Sequence, residues 1–396
     1  MLKFDFKSYT KDWISEKDYL EEYKNKDKYI EMLHQSKMTG WIQEIDSNLA
    51  STIKNKASYI KNNFDCLVVV GIGGSYLGSY AFHSLFKKYF ADNSFPIYYV
   101  GYSLSTKYIN DLLEQLEDKN FCLDIISKSG NTKETIITYN IFKDVLKRKY
   151  GDDFFRHIIM TTSEDSGFLR EEAQKNNYES LPLFDNIGGR YSFISSAHLL
   201  PLALNYDIDK IIDGYYDGKR YIDEAFSYAV TRKLLFNKGK VVENFCVWEE
   251  NMAPFCEWLK QLFGETEGKD LKGILPTSVV YSRDLHSLGQ FIQDGNKILF
   301  ETFITIEDDS NYLAYDNGSL GDIEKVMINS VIRAHYLGHT PIIEIKVSDL
   351  TLENIGELIY FSQLSAAFSA YLIGVEPFDQ PGVEVYKKEM QKELEG

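Results

Sequence analysis

Several short stretches carry side chains suited to polar chemistry. The first is Gly71-Ile72-Gly73-Gly74-Ser75, which follows the apolar run 67–70. Such a run reads as a strand buried on both faces. Glycines after it let the backbone turn tightly and approach a ligand closely. Ser75 then opens a segment, to about residue 90, with helical spacing (Leu77, Ala81, Leu85, Tyr89). Strand, glycine turn and helix N-terminus together make an anion site, so a phosphate is the expected ligand. A plain tight turn would look the same. A dinucleotide turn fits less well, because the next strand, 96–101, ends without an acidic residue for a ribose.

A second stretch, Ser127-Lys128-Ser129-Gly130-Asn131-Thr132 with Glu134 beyond it, follows the apolar strand 121–126. Hydroxyls and N–H groups bind phosphate oxygens, and Lys128 adds charge. A Ser/Asn-rich helix cap is the plainer reading. Both stretches follow strands, which places Gly74, Ser75, Ser127, Lys128, Ser129 and Thr132 on one rim and favours phosphate.

Four further pieces are weaker alone. Asp185–Ser192 sets Arg190 after two glycines, which suits an arginine projected into a cleft or a solvated turn. Gly264–Lys269 reads as a polar loop after an apolar helix, 252–263. Glu265 there could be a base or merely solvated. His286 stands at an expected helix start, 286–293, and suits proton transfer near neutral pH or simple capping. Phe378–Lys387 is a turn into the last helix, with Pro381 at its start, Gln380 before it and Lys387 inside it. The other six histidines show no legible partners.

These pieces need elements to hold them. Strands at 65–71, 96–101, 121–127 and 156–162 alternate with helices near 76–90, 105–117, 132–149 and 166–176. Alternation of this kind implies parallel βαβ units. It resumes with strands within 243–248, 278–281, 297–305 and 341–346 and helices near 252–263, 286–293 and 322–337. The expected fold is therefore α/β, with two doubly wound, mainly parallel sheets. The expected divisions are a helical N-terminal arm at 1–60, packed on the first domain, and that domain at 61–185. A connector at 186–238, a second domain at 239–375 and a C-terminal helical segment at 376–396 complete them.

The net charge of −16 argues against nucleic acid or an anionic membrane surface as partners. Cys66, Cys122, Cys246 and Cys256 form no paired motif, so neither zinc nor a disulfide framework is expected. The opening residues do not resemble a signal peptide, and no apolar run is long enough to span a membrane. A soluble, cytoplasmic protein is expected.

In this order, from about residue 60 to 390, the pieces resemble the glucose-6-phosphate isomerase family. Asp185-x-Ile-Gly-Gly-Arg190-Tyr-Ser-Phe-x-Ser is similar to one family signature. Ala370-Tyr-Leu-Ile373 with Phe378-Asp-Gln-Pro-Gly-Val-Glu-Val-Tyr-Lys387 is similar to the other. Gly-Ile-Gly-Gly-Ser and Ser-Lys-Ser-Gly resemble the sugar-isomerase (SIS) phosphosugar module, which the family carries twice. The resemblance implies aldose–ketose isomerisation without metal or redox cofactor. It implies a phosphate held by Gly74, Ser75, Ser127, Lys128, Ser129 and Thr132, and Glu265 as base. Arg190 would stabilise a cis-enediolate, while His286 and Lys387 would open the sugar ring. Glu134 would orient His286, and Gln380 would contact sugar hydroxyls. A homodimer is implied, with His286 supplied to the partner's site. Three flanking positions depart from the pattern: His198 where Gly is usual, Asn131 for Thr and Glu376 for Asn. A non-catalytic phosphosugar sensor would need the phosphate loops but not Glu265, Arg190, His286 and Lys387 together. A glucosamine-6-phosphate-forming enzyme would need a glutaminase domain, which is not seen. Dual glucose and mannose specificity stays open.

Overall fold

The computed structural model describes residues 1–90, 93–307, 313–315 and 318–395. They form two compact units: a first, Ser36–Ile212, and a second, Met1–Gln35 together with Asp213–Gly396. The chain begins in the second unit with β1 (Leu2–Asp5), α1 (Glu16–Tyr23) and α2 (Lys26–Gln35). The first unit then runs through α3 (Ser47–Asn63), β2 (Cys66–Val70), α4 (Leu77–Phe86), β3 (Ile97–Val100), α5 (Thr106–Gln115) and β4 (Phe121–Ile126). It continues with α6 (Lys133–Tyr150), β5 (Ile158–Thr162), α7 (Phe168–Asn176), β6 (Glu179–Pro182) and α8 (Ser196–Ala203). The chain crosses the division in α9 (Ile208–Asp217). The rest of the second unit comprises α10 (Ile222–Asn237), β7 (Val242–Val247), α11 (Ala253–Glu267), β8 (Leu275–Val280), α12 (Gly289–Asp294) and β9 (Leu299–Ile306). A short pair, β10 (Ala314–Tyr315) and β11 (Gly318–Ser319), precedes α13 (Leu320–Leu337), β12 (Ile342–Val347), α14 (Leu352–Ile373) and α15 (Val383–Glu395).

The first sheet has the order β3-β2-β4-β5-β6, all parallel. Its central strands β2 and β4 are wholly buried, which explains why β2 is apolar throughout and β4 is apolar but for Asp124. Ile109, Leu112, Tyr139, Phe142 and Leu146 join Val68, Val70, Leu123 and Ile125 in one core. α3 is started by Asp46, whose carboxylate accepts from Asn48 N, and buries Ala50, Ile53, Ala57 and Ile60 at helical spacing. The strand order reverses between β2 and β4, so the loops after them diverge to opposite faces and leave a crevice at the carboxyl edge.

The second sheet has the order β1-β12-β9-β7-β8. Its four parallel strands, β8-β7-β9-β12, repeat the order β3-β2-β4-β5 of the first. α14 is buried almost all round, its apolar residues falling on every side of the helix. Gly214 lets α9 press against it: a Cβ there would lie 2.2 Å from the Glu353 carbonyl oxygen.

The N-terminal segment departs from expectation. An arm over 1–60 on the first domain was expected, but β1 pairs antiparallel with β12 at the edge of the second sheet, Leu2 opposite Val347. The edge of β12 presents unpaired N–H and C=O groups, and β1 satisfies them. Phe4 adds contacts with Tyr221 and Phe361. The connector expected at 186–238 is likewise divided, because α10 is a core helix of the second unit. β6 was not foreseen; it is a short edge strand of Glu, Ser, Leu and Pro.

Asp124 sits in the middle of β4 with no exposed surface. Thr161 Oγ1 donates to its Oδ1 at 2.7 Å, while Oδ2 has no partner among the described residues. Burial pushes its carboxyl up to about 7. The folded state therefore holds a proton that the unfolded state gives up near pH 4, so stability from this group is lost as pH rises through that window. We predict that Asp124→Asn shifts the melting temperature upward relative to wild type by more at pH 8 than at pH 5. Equal shifts at both pH values would show that the carboxylate is accommodated ionised.

Candidate active site

The loops after β2 and β4 meet at the crevice of the first unit. Gly73 takes a left-handed φ of 58° to begin the first loop. A single 3-10 turn, Gly73–Ser75, forms the expected glycine turn, and α4 starts at Leu77. In the second loop, Ser127 Oγ accepts from Gly130 N at 3.2 Å and lies 3.3 Å from Thr132 Oγ1. Ser129 Oγ accepts from Asn131 N at 3.3 Å. Thr132 is the N-cap of α6 without a side-chain capping bond, and Glu134 lies in the helix's first turn.

Gly74 and Ser75 line one cleft with Lys128, Ile187, Gly189, Ser192 and Ser195. Lys128 Nζ donates to the carbonyls of Ile187 at 2.9 Å and Asp185 at 3.3 Å. Burial lowers its ammonium below the usual lysine range. Lys128 thereby joins the loop after β4 to the turn that carries Arg190. That turn also presses on the loop after β2: a Cβ on Gly74 would lie 2.2 Å from the Gly189 carbonyl oxygen. Arg190 itself is buried. Its guanidinium lies 5.7 Å from the Tyr191 ring centre, and Tyr191 stacks on Trp41 at 5.0 Å. Gly40 N donates to the Asn186 carbonyl at 3.1 Å, so the segment around Trp41 supports the Arg190 turn.

His198 is a structural element that the sequence did not reveal. Its Nδ1 accepts from Ser79 N at 3.1 Å and its Nε2 lies 3.4 Å from Ser192 Oγ. Ser192 Oγ is 2.7 Å from the Gly189 carbonyl and 3.1 Å from that of Gly74. Burial pushes the imidazole down to about 4, so it is neutral near pH 7 and can accept the Ser79 bond.

In the second unit Glu265 lies on the last turn of α11, not on a loop. The helix runs through Gly264, where a Cβ would make only ordinary contact with Pro276. Glu265 is half-buried and accepts from Gln261 Nε2 at 3.3 Å. Just beyond it, Lys269 pairs with Asp379 at 2.7 Å and donates to the Glu376 carbonyl. This brings the turn holding Gln380 beside the end of α11, and α15 with Lys387 follows. Neither Lys269 nor Asp379 was singled out from sequence, because their pairing joins segments far apart in the chain.

His286 lies elsewhere. It closes a 3-10 turn, Arg283–His286, after the carboxyl end of β8, rather than opening α12. Asp284 Oδ2 accepts from Val280 N at 2.7 Å, and Arg283 pairs with Glu250 at 2.8 Å, which fixes the turn. Glu265 and Gln380 stand at the amino edge of the second sheet and His286 at its carboxyl edge. β8 separates them by roughly 20 Å.

Two parallel α/β sheets of shared strand order, one with a hydroxyl- and lysine-lined crevice, define a double sugar-isomerase-domain protein. Residues 30–296 match the model of the family described as phosphoglucose isomerase. The chain is 39% identical over 384 residues to the glucose-6-phosphate isomerase of Clostridium tetani, covering 89% of this chain and 85% of that protein. It superposes on a hypothetical protein from Thermus thermophilus with a TM-score of 0.86, at 24% identity over 100% of both chains. For a glucose-6-phosphate isomerase from Chlamydia trachomatis the TM-score is 0.77, at 20% identity over 90% of this chain and 77% of that one. The two structural likenesses carry the fold. The chain belongs to the phosphoglucose isomerase family.

Two outcomes are expected at the first unit's crevice. Gly74→Ala forces two backbones apart and should weaken binding of 6-phosphogluconate by more than about tenfold. Lys128→Ala should do the same, by about 10- to 100-fold, as loss of a charged donor. Isothermal titration against wild type measures both, and unchanged affinity would remove the residue from the phosphate site.

Proposed function

We propose that the chain interconverts D-glucose 6-phosphate and D-fructose 6-phosphate, an aldose–ketose isomerisation of glycolysis and gluconeogenesis. The observation that carries this reading is its 39% identity to a glucose-6-phosphate isomerase across 85% of that protein's length. In the proposed mechanism Gly74, Ser75, Ser127, Lys128, Ser129 and Thr132 hold the 6-phosphate, whose binding energy orients the reacting end. His286 and Lys387 move protons at the ring oxygen and O1 hydroxyl to open the pyranose. Glu134 orients the His286 imidazole, and Gln380 contacts sugar hydroxyls. Glu265 takes the proton from C2 of the open aldose. The C–H electron pair forms the C1–C2 double bond of a cis-enediolate while the carbonyl oxygen gains negative charge. Arg190 stabilises that charge. A proton passes from the O2 hydroxyl to O1 as the C2=O bond forms, and Glu265 returns its proton to C1, giving the ketose.

The placement of Glu265 and His286 at opposite edges of one sheet bears on assembly. Groups roughly 20 Å apart within one unit cannot both touch one hexose. The proposed homodimer resolves this, with His286 acting in the site of the partner chain. A cytoplasmic setting is proposed with it. All four cysteines are buried and free, and burial pushes the Cys66 and Cys256 thiols up to about 12, which keeps them unreactive.

Two tests follow. Glu265→Gln should abolish turnover in a coupled fructose 6-phosphate assay while leaving 6-phosphogluconate binding intact; retained turnover would exclude Glu265 as base. Mixed dimers of Glu265→Gln and His286→Ala chains should regain activity absent from the Glu265→Gln homodimer and exceeding that of the His286→Ala homodimer, because one of their two sites is complete. Failure to regain activity in verified mixed dimers would place His286 with its own chain's Glu265, or outside the chemistry.

A further inference from the structure

A buried ion cluster lies under the last turn of α11. Arg232 of α10, Glu243 of β7 and Glu267 of α11 all have fully buried side chains. Arg232 Nε donates to Glu243 Oε2 at 2.8 Å. Its Nη1 donates to Glu267 Oε1 and to Ser369 Oγ of α14, and its Nη2 reaches Glu267 Oε2 at 3.3 Å. The grip on Glu267 is thus two-pronged, as a guanidinium fork allows and an ammonium does not. Glu243 is held in turn by Tyr228 OH and by Thr302 Oγ1, the latter at 2.6 Å. The guanidinium also lies 4.3 Å from the Phe263 ring centre. One side chain therefore ties α10, β7, α11 and α14 together.

Burying two carboxylates with one guanidinium is expensive, and apolar packing of similar volume often serves stability as well. The position of the cluster gives it another use. Glu267 is two residues beyond Glu265 and is the last residue of its helix. Helix ends fray unless something holds them. The chain then turns back so tightly that a Cβ on Gly273 would lie 2.8 Å from the Glu267 carbonyl oxygen. Glu267 Oε2 also accepts from Ile274 N at 3.4 Å, which ties the returning chain to the same carboxylate. The side chain of Glu265 is itself half-buried and accepts from Gln261 of its own helix.

We propose that Arg232 is a positioning residue for the isomerisation base: by gripping Glu267 it fixes the final turn of α11 and, with it, the carboxylate of Glu265. This rests on the reading of Glu265 as the base. Displacement of a reacting group by about 1 Å costs on the order of 100-fold in rate. Loss of the grip therefore lowers the rate of proton abstraction while leaving phosphosugar affinity nearly unchanged.

The test compares Arg232→Met/Glu267→Met, which removes both charges together, with Glu267→Gln, which keeps the shape but not the fork. Wild type and Glu265→Gln serve as references. Melting temperature, kcat and KM for glucose 6-phosphate, and the kinetic isotope effect with the C2-deuterated substrate are measured. The expected result is a folded double variant with kcat reduced by at least about tenfold, KM within about twofold and a larger isotope effect. Glu267→Gln should lie between it and wild type. Wild-type kcat and isotope effect in the folded double variant would overturn the proposal and make the cluster purely structural. If the double variant does not fold, Glu267→Gln decides: lowered kcat with a raised isotope effect supports the proposal, and wild-type values overturn it. Turnover by Glu265→Gln would refute the base assignment itself, and the proposal with it. An inactive Glu265→Gln beside a fully active Glu267→Gln and double variant would refute only the role of Arg232.

Discussion

The contact of Gly74 with Gly189 governs the polar chemistry of the first unit. Two main chains meet where a side chain on Gly74 would collide. Because they meet, the loop after β2 and the turn holding Arg190 share one cleft with Lys128. Close approach of this kind must be held. Ser192 reaches the carbonyls of both glycines, and His198 joins Ser192 to the start of α4. The neutral state of His198 matters, since an imidazolium could not accept the Ser79 N–H. Tyr191, stacked on Trp41, packs the turn that carries the buried Arg190.

The second unit solves a different problem with the same strand order. In the first, the polar residues gather at the carboxyl edge, as open parallel sheets lead one to expect. In the second, Glu265 lies at the amino edge, on the end of a helix rather than in a strand-following loop. Such a site needs its own bracing. Lys269 reaches the 376–379 segment, and Arg232 reaches back into the core through α10, β7 and α14. The carboxyl edge of this sheet keeps only the His286 turn among the residues assigned to chemistry.

Much of this was legible in the chain. Buried parallel strands announce themselves as largely apolar runs, so the positions of β2 and β4 are legible to within a residue or so. The glycine and hydroxyl loops were readable because a tight turn and an anion site each restrict residue type. What failed to show depends on distant partners. β1 is a short strand, and its place is set by β12, near the other end of the chain. Glu265 looked like loop because two glycines flank its stretch, yet packing of Gly264 toward β8 lets the helix continue. Arg232 did leave a trace: a charged residue between Val230 and Leu234 in a helix with buried positions on every side. Its meaning required Glu243 and Glu267 to be seen together.

The spacing of Glu265 and His286 bears on the proposed dimer. If ring opening and enolisation are divided between two polypeptides, catalytic competence inherits the mass action of assembly. Turnover per chain then depends on how many chains are paired, and dilution acts as an inhibitor without touching any side chain. A sugar that contacts both partners also becomes a ligand of the assembled state, and shifts the association equilibrium toward it. Substrate supply and the fraction of assembled enzyme would rise and fall together, a form of control that needs no separate effector.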